Sequence, residues 1–199
     1  MASIQQADHG VNQLSDKEKA AIGEAMKEAE SLAKNIKEKA VYSSQDQEVL
    51  VTGVVQNVNY SRDLELEKIT SWTGKFMDLP PSKIARKNGI GTFVHKGTSS
   101  SDLHVSNSKG AIIYSASAYP GLGWLLAWDK SNKFNKVYVE AGTLTRIKEI
   151  PDYVILQKLD ASDDMCRYWD TKTGASASAQ INNYDDSMAM IAVSFDQFE

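Results

Sequence analysis

The spacing of apolar residues changes once along this chain, near residue 44, and that change dictates an architecture of two unlike parts. Over residues 15–40, Ile22, Met26, Ala29, Ala33 and Ile36 recur three or four apart. This is the spacing of one apolar stripe on an α-helix. Ser15 followed by Glu18 in "SDKE" forms a capping box, a start signal that satisfies two otherwise orphaned backbone groups. Acidic residues gather early and lysines late in the segment, as the helix dipole favours. The stripe is thin and rich in alanine, with no Trp or Phe to anchor at a lipid interface. It suits packing on the rest of the chain or pairing with a copy of itself, and leaves membrane contact as a further reading.

Beyond "SSQDQ" the helical spacing is replaced by short β-prone runs. Strands are expected at "EVLVTGVVQNV", "LELEKI", "GTFVHKG", "KGAIIYSAS", "WLLAWD", "KVYVEAG", "YVILQKLD", "MCRYWD", "ASAQI" and "MAMIAVSF". Turn signals such as "DLPPSK", "ARKNG", "YPGLG", "DKSNK" and "DTKTG" separate them. Many short strands at close spacing, with no second helical pattern, predict a mainly β fold, an antiparallel β-sandwich preceded by the N-terminal amphipathic helix. Residues 1–44 are read as tail and helix and residues 45–199 as the sandwich domain.

Composition restricts the function classes. The net charge of −4 argues against a nucleic-acid partner, which would require a basic surface against phosphates. No apolar run reaches the ~18 residues of a membrane span. "MASIQQADHG" has neither a basic n-region nor an apolar h-region, and Cys166 stands alone, so no disulfide joins the chain to itself. These features lead to the expectation of a cytoplasmic protein.

Catalytic and cofactor signatures are missing. There is no phosphate-cradling or dinucleotide-binding glycine motif, no nucleophile elbow and no paired C-x-x-C or H-E-x-x-H. His95, His104 and Asp102 make at best an incomplete ligand set, and the Asp pairs at 163–164 and 185–186 read as solvated turns. The chain is expected to be no enzyme, with no catalytic residues, cofactor or metal.

The aromatic segment "YPGLGWLLAWDKSNKFNKVYVE" supplies the binding candidates. Trp124, Leu126 and Trp128 share one strand parity and Leu125 and Ala127 the other, so this strand is expected to be central. Trp128 and Tyr138 read as core. Tyr119 and Phe134 sit in turns at either end of the strand, and with Trp72 and Trp124 they are the candidates for stacking on a ligand. Asp129 and Asn132 are the candidates for hydrogen bonds to sugar hydroxyls.

The order "GVVQNVNYSRDLELEKITSWTGKF", "LPPSKIARKNG", "NGIGTFVHKG", "SKGAIIYSAS", "GWLLAWDKSNKFNKVYVEAG" and "SMAMIAVSF" resembles the plant jasmonate-induced 23 kDa protein family over residues 48–196. That resemblance implies an intracellular stress-responsive protein with no enzymatic activity, and carries no functional residues across. The chain is more distantly similar to the actinoporin and aegerolysin type of β-sandwich, shared with some fungal lectins. In actinoporins an N-terminal amphipathic helix enters membranes and an aromatic loop after the central strand cages phosphocholine. The matching stretch here, "AWDKSNKFNKVYVE", holds Asp129, Lys130, Lys133 and Lys136 with only Phe134 as an aromatic. Lysines repel a quaternary cation, so a choline cage does not follow from the resemblance.

The expected function is therefore a non-enzymatic stress or defence protein, a binding module whose partner is a glycan or another protein. Two alternatives stand beside it: membrane interaction through the N-terminal helix, and homo-oligomerisation through that helix.

Overall fold

A computed structural model of the chain describes residues 14–40, 48–59, 61–100, 105–116 and 121–198. In chain order the elements are α1 (Asp16–Ala40), β1 (Leu50–Asn57), β2 (Leu64–Thr73), β3 (Lys75–Asp78), β4 (Lys83–Ile84), β5 (Gly89–Lys96), β6 (Thr98–Ser100), β7 (Val105–Ala116), β8 (Leu122–Ser131), β9 (Asn135–Thr143), α2 (Leu144–Glu149), α3 (Asp152–Asp160), β10 (Met165–Trp169), β11 (Ala175–Asn183) and β12 (Met188–Gln197).

The strands form two sheets. The first runs β10-β11-β12-β1-β5-β3, the second β4-β2-β7-β8-β9 with β6 added to β7. Their facing sides make the main core. Trp124, Leu126 and Trp128 of β8 meet Phe93 of β5 and Val193 and Phe195 of β12, all buried. The ring of Trp128 lies 5.1 Å from that of Phe93, and Trp124 stacks on Phe195 at 6.2 Å. The Trp124 indole N–H donates to the main-chain oxygen of Asp196 at 3.1 Å, which removes the penalty of burying it. The expected β-sandwich is present. One pair departs from the antiparallel expectation: β1 runs parallel to β12, Leu50 opposite Met188 through to Asn57 opposite Phe195.

Each sheet is covered by helix on its outer side. Helix α1 lays Ile22, Ala25, Ala29 and Ala33 on Val54, Met188, Met190 and Ala192. The alanines allow close approach, and the Thr52 hydroxyl reaches the Ala29 carbonyl at 3.3 Å. Polar bonds fix the helix along its length: Lys17 to Asp196 at 2.7 Å, Gln56 to Glu24 at 3.0 Å and Lys37 to Asp185 at 2.7 Å. The capping box is formed as the sequence predicts, with Ser15 N donating to Glu18 at 2.7 Å and Glu18 N to the Ser15 hydroxyl at 3.2 Å. Of the two partners that the sequence leaves open for the apolar stripe, the chain's own sheet is the one that covers it. Helix and sandwich form consecutive packed layers, and the domain boundary expected at residue 44 falls outside the described residues. No helix among the described residues is long and apolar enough to cross a membrane, which says nothing of strand-built spans.

The second cover corrects the sequence reading. "YVILQKLD", expected as a strand, belongs to helix α3, and α2 precedes it. Pro151 at the N-cap and Asp152 in the first turn start α3. Ile155 and Leu159, four apart, bury against Ile113, Leu125 and Ala127 together with Ile147 of α2. Alternation and helical spacing are hard to separate in so short an apolar run, and tertiary cover decides for the helix. Strands β3, β4 and β6 are additional to those expected, each four residues or shorter.

Candidate functional site

The registers on both sides of β8 run without a bulge, so strict alternation governs where its side chains go. The inward row reads Trp124, Leu126, Trp128 and then Lys130. The outward row reads Leu125, Ala127 and then Asp129. Two of the sequence candidates are settled by this geometry. Trp124 is wholly buried between the sheets and cannot stack on a ligand. Asp129 faces the helical side, buried, with its carboxylate 2.7 Å from Lys109. Both are corrections to the expected site.

Trp72 also lies elsewhere, on β2, and its indole N–H donates to Asp152 at the start of α3 at 3.1 Å. Tyr119, together with His9, Asp102 and His104, lies outside the described residues. Trp128 is core as expected, and Tyr138 is buried beneath the helices with its hydroxyl on Glu140 at 2.5 Å.

Asn132 and Phe134 remain, and the fold brings them together at the mouth of the sandwich. The β8–β9 hairpin closes through Ser131, whose N–H donates to the Phe134 carbonyl at 3.0 Å. The Ser131 hydroxyl accepts from the N–H groups of Lys133 and Phe134 at 3.1 and 3.2 Å. This side-chain turn holds the loop in one shape. Across from it, the 161–164 segment stitches the two sheets together. Val137 N donates to the Asp163 carbonyl and Ile181 N to the Asp164 carbonyl, each at 2.9 Å.

Between these walls is a cleft of about 410 Å³, within the range of small-ligand sites. Its rim carries Asn132, Phe134, Asn135, Asp163, Asn182 and Asn183. Asn135 donates to Asn183 at 2.9 Å, while its side-chain oxygen is buried without a hydrogen-bond partner. A buried acceptor left unpaired is costly, and an incoming donor removes that cost. Phe134 is 43% exposed. The Lys136 ammonium sits 5.0 Å from the centre of its ring, so one aromatic face is already occupied by a cation.

Lys130 and Ile181 form the floor, both nearly inaccessible. Burial pushes the Lys130 ammonium below the ordinary lysine range, against the opposing pull of Asp185 and Asp186. The sequence reading missed Lys130, Asn135, Asn182 and Asn183. The signal for Lys130 is its parity, since a lysine ends an inward row of tryptophans. The amides are visible as "NKFN" and "NN", but only the fold brings those two stretches together.

A second polar cluster surrounds His95. His95 is buried between the rings of Phe76 and Trp128, at 4.9 and 5.3 Å. Its Nε2 is 2.9 Å from the Ser71 hydroxyl and its Nδ1 is 2.7 Å from that of Ser108. Trp128 donates to the same Ser108 oxygen at 3.1 Å. Each ring nitrogen thus faces a serine hydroxyl, and Ser108 has room to accept from Trp128 and to exchange a hydrogen bond with His95 in either tautomer. Burial drives the His95 pKa down to about 4, so the ring is neutral under ordinary conditions. The single described thiol, Cys166, is half-buried and pushed up by burial, which suppresses the thiolate.

No family model matches the sequence. A curated protein of Atriplex canescens named "Jasmonate-induced protein homolog" is 23% identical over 189 residues, covering 92% of this chain and 94% of that protein. Among solved structures, the lipid binding protein Nakanori superposes with a TM-score of 0.65 at 17% identity, over 97% of this chain and 92% of that one. The Xerocomus chrysenteron lectin XCL superposes with a TM-score of 0.50 at 14% identity, over 74% of this chain and 99% of the lectin. The resemblance to jasmonate-induced proteins read from the sequence thus has a full-length counterpart, and the sandwich is shared with a lipid-binding protein and a lectin.

Proposed function

We propose that this chain is a non-enzymatic, jasmonate-responsive stress or defence protein that binds a glycan in the cleft beside the β8–β9 hairpin. The observation that carries this reading is the rim itself: an exposed aromatic ring, Phe134, next to four amide side chains, one of which holds an unpaired buried acceptor. Sugars present apolar C–H faces and dense hydroxyls, and such a rim answers both. The name of the Atriplex canescens relative supports a stress-related role, and the fold shared with a lectin is compatible with a sugar ligand. The burial of His95, which keeps its ring neutral, and the suppressed Cys166 thiol support the non-enzymatic part. The cytoplasm is the proposed compartment, on the strength of the lone cysteine.

The alternatives rest on α1 and are weaker. Releasing the helix for a membrane or for a second copy would expose Val54, Met188, Met190 and Ala192 and break the ion pairs of Lys17 and Lys37. A phosphocholine cage is disfavoured because Phe134 stands alone and already carries Lys136 on its ring.

A glycan array tests the proposal. The expected result is a defined set of hits that weaken about tenfold or more in Phe134→Ala, a loss of about 1.4 kcal/mol. An array without hits, or hits indifferent to that substitution, overturns it. Leakage of phosphatidylcholine or sphingomyelin vesicles would favour the membrane alternative instead.

A further inference from the structure

We propose that the cleft is selective for an acidic sugar, with the carboxylate of a hexuronic acid seated on Lys130; this rests on the glycan reading above and names the class of glycan.

One cation of the cleft sits in the wrong place for a purely structural role. Lys130 occupies the inward row of β8, directly after Trp128, and is 3% exposed. A buried ammonium is stable only where its charge and its three N–H donors are matched. Among the described residues it meets one acceptor, the Ser131 carbonyl at 2.9 Å, which is neutral. No carboxylate among the described residues lies within ion-pairing distance. Asp185 and Asp186 act on it through space only, and the Asp185 carboxylate is engaged by Lys37, by the N–H groups of Ser187 and Met188 and by the Ser187 hydroxyl. The charge is therefore under-compensated, and the side it presents is the floor of the cleft.

The rest of the lining restricts what can approach. Lys133, Asp163 and Asp164 line the same cleft, so the charges of its lining sum close to zero and favour a ligand with a single anionic group over a multiply charged one such as a phosphate monoester. The unpaired Asn135 oxygen is matched by a neutral donor, such as a hydroxyl. Phe134 offers a ring for the C–H face of the sugar. One anionic group, several hydroxyls and one apolar face describe a uronic acid.

The experiment is calorimetric titration of the full chain with tri-galacturonic acid and with its carboxyl-reduced counterpart, the neutral galactotriose. The expected result is at least tenfold tighter binding of the acid, a preference that falls to near unity in Lys130→Met and weakens as salt is added. Equal affinity for the two sugars overturns the proposal while leaving the glycan reading standing. A preference that survives Lys130→Met in a variant with native melting behaviour also overturns it. Absence of binding by both sugars, with a neutral hit on the array, overturns it too; absence of any glycan hit removes both readings. The comparison of the two sugars on the unmodified protein needs no variant to fold.

Discussion

The carboxylate of Glu18 ties helix α1 to strand β10: Arg167 Nε donates to both of its oxygens, at 2.7 and 2.9 Å, while the same group caps the helix start through Ser15. One side chain thus closes the helix terminus and fastens it to the outermost strand of the first sheet. Glu18 is buried and the Arg167 side chain is largely so. Glu18→Ala removes a cap and leaves a guanidinium without its counter-charge. A loss of about 2–4 kcal/mol in urea denaturation is expected, larger than for a cap alone.

Gly53 of β1 lies directly opposite Phe93 of β5, and a Cβ added there would stand 2.1 Å from the Phe93 ring. That ring is wedged between Gly53 and Trp128 and has no room to retreat. Gly53→Ala is expected to destabilise by about 3 kcal/mol through overpacking, despite the better strand propensity of alanine. A double variant with Phe93→Leu should recover part of the loss, measured as coupling in a mutant cycle.

His95 sets a pH dependence whose sign is fixed by its burial. Its folded pKa of about 4 lies below the ordinary value of 6.5, so the unfolded chain takes up the proton first. Its contribution is complete above pH 6.5 and is lost as pH falls from 6.5 towards 4. The slope is at most ~1.4 kcal/mol per pH unit. Chemical denaturation at pH 6 and pH 5, where most carboxylates stay ionised, should show the decline, and His95→Gln should flatten it while lowering stability at pH 7.

Phe134 is expected to separate binding from folding. Its ring is exposed and touches Lys136 rather than the core. Phe134→Ala should change stability by less than about 1 kcal/mol while weakening glycan binding. A collapse of the melting temperature would show that the ring supports the hairpin instead.

How much of this was legible in the sequence depends on the range of the interaction. The capping box of α1 and the alternation of "WLLAW" are local patterns, and both appear in the structure where the sequence puts them. The burial of both parities in that strand was itself a clue that each face of the sheet needs a cover. Read further, it would have asked for α2 and α3, and Pro151 with Asp152 was the start signal available. The candidate site was less legible, because the cleft gathers Asn132 and Phe134 from one hairpin, Asp163 from a loop after α3 and Asn183 from the end of β11. Asn132 and Phe134 were found because they sit in a turn. Trp124 was misjudged because an aromatic residue looks the same in a list whether it faces a ligand or a core. Lys130 reads as one more loop charge in "DKSNK", although its even-numbered parity points it inward.

The parallel seam between β1 and β12 has a consequence for how the molecule comes into being. The strands β7, β8 and β9 are neighbours both in sequence and in their sheet, so they can zip as hairpins soon after they are made. The first sheet can do so only along β10-β11-β12, since its two central strands, β12 and β1, come from opposite ends of the described chain. On a ribosome, β1 and α1 emerge early and must wait, with Val54 and the alanine stripe uncovered, until Met188–Gln197 is delivered. The last strand therefore acts as the keystone of assembly. Slow closure of a long-range contact, rather than local structure, is expected to govern the folding rate. A chain cut before residue 188 should form the second sheet's hairpins yet fail to dock the helix.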